Sequence, residues 1–263
     1  MKQRIIVLIL CSLAFCSYSQ NGLRIPVIGL EFDLSLGNAF PVGSFSAGEG
    51  KPNDIFKYAK SSASSFAFNF ETILRRNGKA YILGLSNYTF ASNIERYKAS
   101  VQKNYPLSET DAFFSSHYNL TVIDLGMSSP MEKDRFSFEP GIRLGLGILD
   151  PPLTEIYLKD KQNGMYKTII YPQYFQLLTT IIPFLKVGYN FPKSDLSSGV
   201  FLKIEYIFSH FEAILEQKIL NQNLSTVSYD YPYEKSYLAA VTLTLGFYLN
   251  FTLYKSIYDK KGI

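Results

Sequence analysis

The chain has 263 residues, of which 47% are hydrophobic, 16% aromatic and only 18% charged, and its formal net charge is +4. This aromatic content and small net charge exclude a disordered chain, which has few aromatic residues and a strong charge. The length allows one large or two small domains, and all-β chains of this size commonly form one unit, so we expect a single domain.

The first predicted element is a secretory signal peptide. Lys2 and Arg4 form a basic start, which is followed by an apolar run and by small residues that end at Ser19. This order is typical of a cleaved export signal. The apolar run is shorter than the roughly 20 residues that a membrane-spanning helix needs. We predict that residues 1–19 are removed after Ser19, which leaves 20–263 as the mature domain.

Cysteine chemistry is excluded from the predicted mature chain. Both cysteines, Cys11 and Cys16, lie in the signal peptide, so a disulfide framework, a thiolate metal site and a cysteine nucleophile all disappear. Lipidation at Cys16 is disfavoured because Phe15 stands where a lipoprotein signal needs a small residue. The mature chain has 24 basic and 22 acidic residues, because two of the 26 basic residues are removed, and its net charge is +2. Nucleic-acid binding is not expected at this charge.

Alternation of apolar with small or polar residues predicts about eight strands. Such alternation requires a strand with two chemically different faces. It is most regular over 28–37, 136–148, 200–209 and 236–251, and rougher over 65–71, 81–86, 118–127 and 175–191. Within 118–127 the phase slips, and we predict a β-bulge there.

The less apolar face of these strands is predicted to point into a narrow barrel. It carries Gly29, Gly37, Gly84, Gly141, Gly145, Gly147, Gly188 and Gly246. A barrel of about eight strands has room inside only for small or mutually paired side chains. Glycines on a solvated outer face would only weaken the strands. The apolar face is therefore predicted to contact lipid, as in outer-membrane barrels.

Charged residues on the predicted interior face are few and of both signs. They are the acids Glu31, Asp33, Glu71, Glu139 and Glu205 and the bases Arg143, Lys186 and Lys203. This composition favours an internal salt-bridge network over a solvated surface. Because an unpaired buried charge is costly, we predict that Arg143 pairs with at least one of these carboxylates.

The connections between strands alternate between long and short. Long connections are predicted at 42–61, 91–112, 150–172 and 211–235, and short ones at 76–79, 129–134 and 192–198. This alternation is typical of barrels with extended outer loops and short periplasmic turns. We predict an all-β fold, an antiparallel transmembrane up-and-down barrel of about eight strands. An open pore is excluded at this strand number, and a soluble lipocalin-like ligand-binding barrel is the alternative.

Three segments resemble a known family. They are Gly37-Asn38-Ala39-Phe40-Pro41-Val42-Gly43, Phe138-Glu139-Pro140-Gly141-Ile142-Arg143 and Leu185-Lys186-Val187-Gly188-Tyr189. They are similar to segments of small outer-membrane β-barrel proteins of the OmpA/OmpX-like superfamily, especially its PorT-like members, and the resemblance covers essentially the whole mature chain. One departure is the tail 252–263 after the last strand, where many such barrels end on an aromatic residue.

This resemblance implies an integral protein of the Gram-negative outer membrane, in contact with lipids and lipopolysaccharide. Members of the family include anchors, adhesins and components of secretion assemblies. The resemblance therefore implies a non-enzymatic role, carried by loops or turns that contact other envelope proteins.

The strongest candidate for catalysis is the segment Ser209-His210-Phe211-Glu212, because some outer-membrane barrels are lipid-modifying hydrolases with a Ser–His–acid set. Neighbouring residues in a strand point to opposite faces, so Ser209 and His210 diverge, while His210 and Glu212 share a face. We expect no catalytic residues here or at His117, and a lipid-modifying enzyme around His210 is the alternative function.

No metal or cofactor site is predicted. Glu31 and Asp33 lie about 7 Å apart on one strand face, and the sequence has neither paired histidines nor an oxygen-rich loop with ligand spacing. Gly145-Leu146-Gly147 lies within a predicted strand and does not form a phosphate-binding loop. The loop Tyr229-Asp230-Tyr231-Pro232-Tyr233 is interpreted as part of an aromatic belt or as a contact surface.

Overall fold

The computed structural model describes residues 28–48, 57–60, 65–76, 78–104, 108–114, 117–151, 154–160, 166–171, 175–191, 197–214, 216–220, 226–230 and 233–254. The predicted signal peptide and its cleavage site lie outside the described residues and stay a prediction.

Strands account for most of the described chain. They are β1 (Ile28–Pro41), β2 (Ala59–Lys60), β3 (Ala67–Arg76), β4 (Lys79–Ser92), β5 (Ser108–Phe114), β6 (His117–Ser128), β7 (Met131–Lys133), β8 (Phe136–Asp150), β9 (Thr154–Asp160), β10 (Tyr166–Tyr171), β11 (Gln176–Asn190), β12 (Ser197–Ile214), β13 (Glu216–Leu220), β14 (Thr226–Asp230) and β15 (Tyr233–Tyr254). Two helical segments join them, a 3₁₀ turn at Gly43–Phe45 and the helix α1 at Ile94–Asn104.

Eight long strands close into an antiparallel barrel. Their order around the wall is β1, β3, β4, β6, β8, β11, β12 and β15, and β15 pairs with β1. The pairing of β8 with β11 completes the ring. Neighbours in the wall are also successive barrel strands in the sequence, which is the up-and-down topology that the alternation predicts. The predicted fold is confirmed.

The two ends of the barrel differ as the loop lengths predict. At the short-turn end, β3 and β4 pair up to Arg76 and Lys79, and Gly78 has a φ of 73°. Glycine adopts this left-handed conformation without steric cost, which suits a tight hairpin. The turn between β7 and β8 also lies at this end, as do the first residue of β1, Ile28, and the last residue of β15, Tyr254. The four long connections lie at the other end, the long-loop end.

The predicted β-bulge in 118–127 is wrong. Strand β6 pairs with β4 and with β8 in continuous register. Tyr118, Leu120 and Val122 face the interior, whereas Ile123 and Leu125 face outward. The phase slip in the sequence arises because the interior near the long-loop end is apolar, so that apolar residues change faces along a regular strand.

The long connections contain strands that the alternation of apolar and polar residues did not predict. A second sheet of five strands, in the order β14, β13, β10, β9 and β5, lies in these connections. β9 and β10 extend the β8–β11 hairpin, and β13 and β14 extend the β12–β15 hairpin. The second sheet therefore joins three of the four long connections of the barrel.

Aromatic side chains fill the barrel at the long-loop end. Phe45 from the 3₁₀ turn packs edge-on against Phe90 and Tyr118, with ring centroids 5.3 and 5.4 Å apart. Tyr97 of α1 packs against Tyr58 at 5.2 Å. All five side chains are almost fully buried. The loops therefore close the mouth with a packed apolar layer.

The outward face of the barrel is apolar and exposed. Large side chains with 40% or more of their surface exposed include Leu34, Leu36, Leu83, Leu85, Ile123, Leu125, Met127, Ile142, Leu144, Leu146, Leu202 and Leu245. Buried charges point inward on the same strands. This distribution is the inverse of that in a soluble barrel. Within the described residues, no helix has the length and apolar character to cross a membrane.

Candidate functional site: the charged lumen

The centre of the barrel holds a cluster of charges around Arg143, which has no exposed surface. Its guanidinium contacts Glu71 at 2.7 Å and Asp124 at 3.1 Å, and it also pairs with Glu205. Lys203 contacts the same two glutamates, at 2.7 and 3.1 Å. These five residues are called the Arg143 cluster below. The predicted pairing of Arg143 with a carboxylate is confirmed, with three partners.

Neutral donors complete the Arg143 cluster. The second oxygen of Glu205 accepts hydrogen bonds from Asn69 at 3.2 Å, Tyr88 at 3.4 Å and Thr242 at 3.0 Å. Hydrogen bonds to a charged acceptor are stronger than those between neutral groups, and they offset part of the cost of burying the carboxylate. The cluster therefore ties together side chains from β3, β4 and β15.

Two glycines make room for the Arg143 side chain. A Cβ atom at Gly126 would lie 2.5 Å from Arg143 Cγ, and one at Gly84 would lie 2.9 Å from Nη1. Any larger residue at these two positions would displace the guanidinium from its carboxylates. This is the close packing inside a narrow lumen that the glycine-bearing face predicts.

A second group of charges lies nearer the short-turn end and is called the Lys186 cluster. Lys186 Nζ donates to Glu31 at 2.8 Å and to Asp33 at 2.5 Å. Arg75 binds Glu31 with two nitrogens, each at 2.7 Å, and contacts Glu139 at 2.9 Å. The ammonium of Lys186 also lies over the rings of Phe201 and Tyr248, at 4.6 and 5.3 Å from their centroids.

Two members of these clusters were not predicted. Asp124 lies in β6, where the predicted bulge made it uncertain which residues face the lumen. Regular alternation of inward and outward residues from Tyr118 onward would have placed Asp124 inside. Arg75 follows Glu71 on the inner face of β3, four residues further on. The five predicted acids and three predicted bases all face the lumen, and each is at most 2% exposed.

Chemically, the lumen is a closed network of ion pairs below an apolar layer. Breaking one partner of such a pair leaves an uncompensated buried charge, which typically costs about 3–5 kcal/mol. The network therefore penalises the loss of any one of its partners. Within the described residues, no three His, Cys, Asp or Glu side chains are grouped so as to hold a metal ion.

The Ser209-His210-Glu212 residues are not brought together as a catalytic set. Ser209 faces the lumen and donates a hydrogen bond to the carbonyl of Thr179 at 2.7 Å. His210 faces outward and packs against the ring of Tyr237 at 5.0 Å. Glu212 also faces outward and pairs with Lys235 at 3.1 Å. The predicted divergence of Ser209 from His210 is confirmed.

The remaining predicted candidates lie apart from one another. His117 begins β6 opposite Ala91 at the long-loop end. Gly145 and Gly147 lie inside β8, as predicted. In the tyrosine-rich segment, Tyr229 and Asp230 end β14 and Tyr233 begins β15. Residues 231 and 232 lie outside the described residues, so its interpretation as a belt or contact surface stays open.

Comparison with known proteins gives structural likenesses only. No protein family matches the sequence, and no curated protein does either. A solved structure of a major outer membrane protein from Thermus thermophilus is similar with a TM-score of 0.39 and 11% identity, over 84% of this chain and 99% of that one. Neisserial surface protein A (NspA) is similar with a TM-score of 0.35 and 12% identity, over 87% and 100%.

Proposed function

We propose that this chain is an integral, non-enzymatic protein of the outer membrane that acts through its long-loop end. The observation that carries the proposal is the inverted polarity of the barrel. Leucine and isoleucine side chains cover the outside, while the charges of both clusters are buried in the lumen. In water this arrangement would expose a continuous apolar belt, which soluble monomers avoid. In a bilayer the same belt is solvated by lipid.

Aromatic side chains on the outer wall support this proposal by their positions. At the short-turn end, Tyr189 packs against Phe136 and Phe191 at 5.3 and 6.2 Å. At the other end, Tyr237 packs against Phe208 and His210 at 6.1 and 5.0 Å. Aromatic girdles of this kind mark both interfaces of membrane barrels.

The distance between the two aromatic groups matches a membrane. Along β11, Tyr189 pairs with Phe136, and Thr179 pairs with His210, so ten residues separate the two levels. At about 3.3 Å per residue and a strand tilt of about 40°, they span about 25 Å. The apolar band of outer-membrane barrels has about this height.

The filled lumen supports a function at the surface of the protein. The mouth is closed by Phe45, Phe90, Tyr97 and Tyr118, and the centre by the two charge clusters. We infer that the chain serves as an anchor, an adhesin or a component of a membrane or secretion assembly. Its partners would be outer-membrane lipids, lipopolysaccharide and other envelope proteins. The second sheet at the long-loop end gives such contacts a structured surface.

Cysteine labelling in intact cells tests location and orientation together. Ser46 and Arg135 lie at the long-loop end and the short-turn end respectively. With a membrane-impermeant maleimide, we expect Ser46→Cys to react in intact cells and Arg135→Cys only after the outer membrane is permeabilised. Alkaline extraction should leave both variants in the membrane fraction. Recovery of the protein as a soluble periplasmic species would contradict the proposal, and the reverse labelling pattern would contradict the orientation.

A substitution at His210 tests the enzymatic alternative. Because His210 lies on the opposite face from Ser209 and contacts Tyr237, we expect His210→Ala to leave phospholipid and lipopolysaccharide composition unchanged. The measurement is mass spectrometry of lipids from cells that express either form at equal levels. Phe208→Ala, which also removes a ring in contact with Tyr237, is the matched control. A lipid product lost in the His210 variant alone would favour the enzyme.

A further inference from the structure

The lumen contains more carboxylates than basic groups, and each of the two clusters has one carboxylate in excess. The Arg143 cluster has three acids, Glu71, Asp124 and Glu205, and two bases. The Lys186 cluster has the acids Glu31, Asp33 and Glu139 and the bases Arg75 and Lys186. Each cluster therefore has one more negative than positive charge if every group is ionised. Of these ten groups only Arg75, at 18%, has appreciable exposed surface.

In the Lys186 cluster, Asp33 is the carboxylate with the fewest partners, so the excess negative charge is assigned to it. Glu31 is bound by both Arg75 and Lys186, and Glu139 by Arg75 and by the hydroxyl of Ser128. Asp33 uses Oδ2 for Lys186, whereas its buried Oδ1 has no hydrogen-bond partner within the part of the chain that the structure describes. It is the one carboxylate of the six with such an oxygen there. An unpaired buried oxygen of a charged group is expensive.

A second unpartnered oxygen belongs to a neighbour of Asp33. Across the β1–β3 pairing, Asp33 lies opposite Glu71 and Ser35 lies opposite Asn69. Asp33 and Asn69 are thus diagonal neighbours on one face, with their Cβ atoms about 7 Å apart. Asn69 Oδ1 is buried and also lacks a partner among the described residues.

The orientation of the Asn69 amide is fixed by its other contacts. Asn69 Nδ2 donates to Ser35 at 3.3 Å and to Glu205 at 3.2 Å. Turning the amide over would aim its oxygen at the Glu205 carboxylate, so the present orientation is the favourable one. Asp33 Oδ1 and Asn69 Oδ1 are therefore both acceptors, and neither satisfies the other when Asp33 is ionised.

We propose that a single positive charge, carried by a proton or by an alkali cation, is bound between Asp33 Oδ1 and Asn69 Oδ1. A proton on Asp33 Oδ1 would let it donate to Asn69 Oδ1. An alkali cation would be ligated by both atoms, because carboxylate and amide oxygens are the ligands that hard cations prefer. Either species satisfies both oxygens and removes the one excess charge of the Lys186 cluster.

The charged and titratable groups around this position come from several strands. Glu31 lies on β1 with Asp33, Glu71 and Arg75 on β3, Lys186 on β11 and Tyr248 on β15 directly opposite Asp33. Lys186 is shared between Glu31 and Asp33, so it neutralises only one of them. The groups facing Asp33 therefore leave its charge uncompensated.

The two carriers are distinguished by the stability of the refolded wild-type protein in detergent. In one arm, sodium is replaced by tetramethylammonium at constant ionic strength and neutral pH. In the other, the pH is raised above neutrality at constant sodium. A stability loss in the first arm identifies an alkali cation. A loss in the second arm alone identifies a proton, because the folded state then binds more protons than the unfolded state. The folded-to-unfolded ratio then falls by up to about tenfold per pH unit.

Asp33→Asn tests whether the dependence of stability on sodium or on pH arises at Asp33. The variant is isosteric and removes the negative charge, so we expect it to be as stable as the wild type at neutral pH and to lose the dependence seen in the wild type. Glu31→Gln is the matched control in the same cluster. It should lose stability, because Arg75 and Lys186 lose a charged partner, and it should keep the dependence.

Two results would overturn the proposal. One is a wild-type protein whose stability changes in neither arm, a result that needs no variant to fold. The other is an Asp33→Asn variant that loses as much stability as Glu31→Gln or retains the wild-type dependence. Asp33 would then be only an ion-pair partner of Lys186.

Discussion

Replacing Arg143 by alanine is expected to destabilise the barrel by at least about 3–5 kcal/mol. The substitution leaves Glu71, Asp124 and Glu205 close together without the guanidinium that contacts all three. Loss of one partner from a buried pair typically has this cost because the other charge remains. Lys203 still contacts two of these acids, but Asp124 loses its cation. The measurement is the unfolding transition of the refolded protein in detergent, followed by its heat-dependent mobility on gels.

Leu144→Ala is the matched control, since residue 144 follows Arg143 in β8 but points outward with 59% of its surface exposed. It leaves no cavity in the lumen and strands no charge, so a far smaller loss is expected. Equal stability of both variants, or a greater loss for Leu144→Ala, would show that the inside and outside of β8 are assigned wrongly.

The barrel was predictable because its signal is local. A period of two is set by the backbone of a strand, and in β1 and β8 the charged and glycine positions of the regular segments fell on one face. The short connections then indicate antiparallel neighbours, and their alternation with long ones indicates an up-and-down order. For the same reason the charged lumen was largely predictable, since Glu31, Glu139 and Arg143 each occur at the inward phase of a regular strand.

The prediction failed for a physical reason in the half of the barrel nearer the long-loop end. There the interior is lined by Tyr118, Leu120 and Val122, so the usual difference between a polar inside and an apolar outside disappears. The sequence then shows a shift of phase where the backbone has none. Asp124, which lies just below this apolar layer, was lost from the predicted network as a result.

The second sheet could not be predicted because two of its four pairings join distant segments. β5 pairs with β9, and β10 with β13, and each pair belongs to two different long connections. The strands are five to seven residues long. Segments this short carry little periodic signal of their own. Their pairing depends on the barrel strands that bring the connections together.

Introducing a charge on the outer wall is expected to have the second largest effect. Ile142 lies on the apolar outer face, and its partner Pro183 on β11 is six residues from Tyr189 and four from Thr179, near the middle of the two aromatic levels. In a bilayer, Ile142→Arg should destabilise the protein by about 2–4 kcal/mol, the cost of a basic side chain near the midplane of a membrane barrel. On the surface of a soluble barrel the same substitution would remove an exposed apolar group and cost almost nothing. The measurement is reversible unfolding of the protein in lipid vesicles.

Leu177→Arg is the matched control for depth. Leu177 is also exposed, at 74%, but it lies near the long-loop end of β11, beyond the level of Thr179 and Tyr237. A basic side chain there reaches the headgroups, so its cost should fall to about 0–1 kcal/mol. A large loss at 142 with a small loss at 177 is expected only if lipid surrounds this wall, because water would solvate both arginines equally. Equal, small effects at both positions would contradict the membrane assignment, and a greater loss at 177 would require the proposed membrane boundaries to be moved along the barrel.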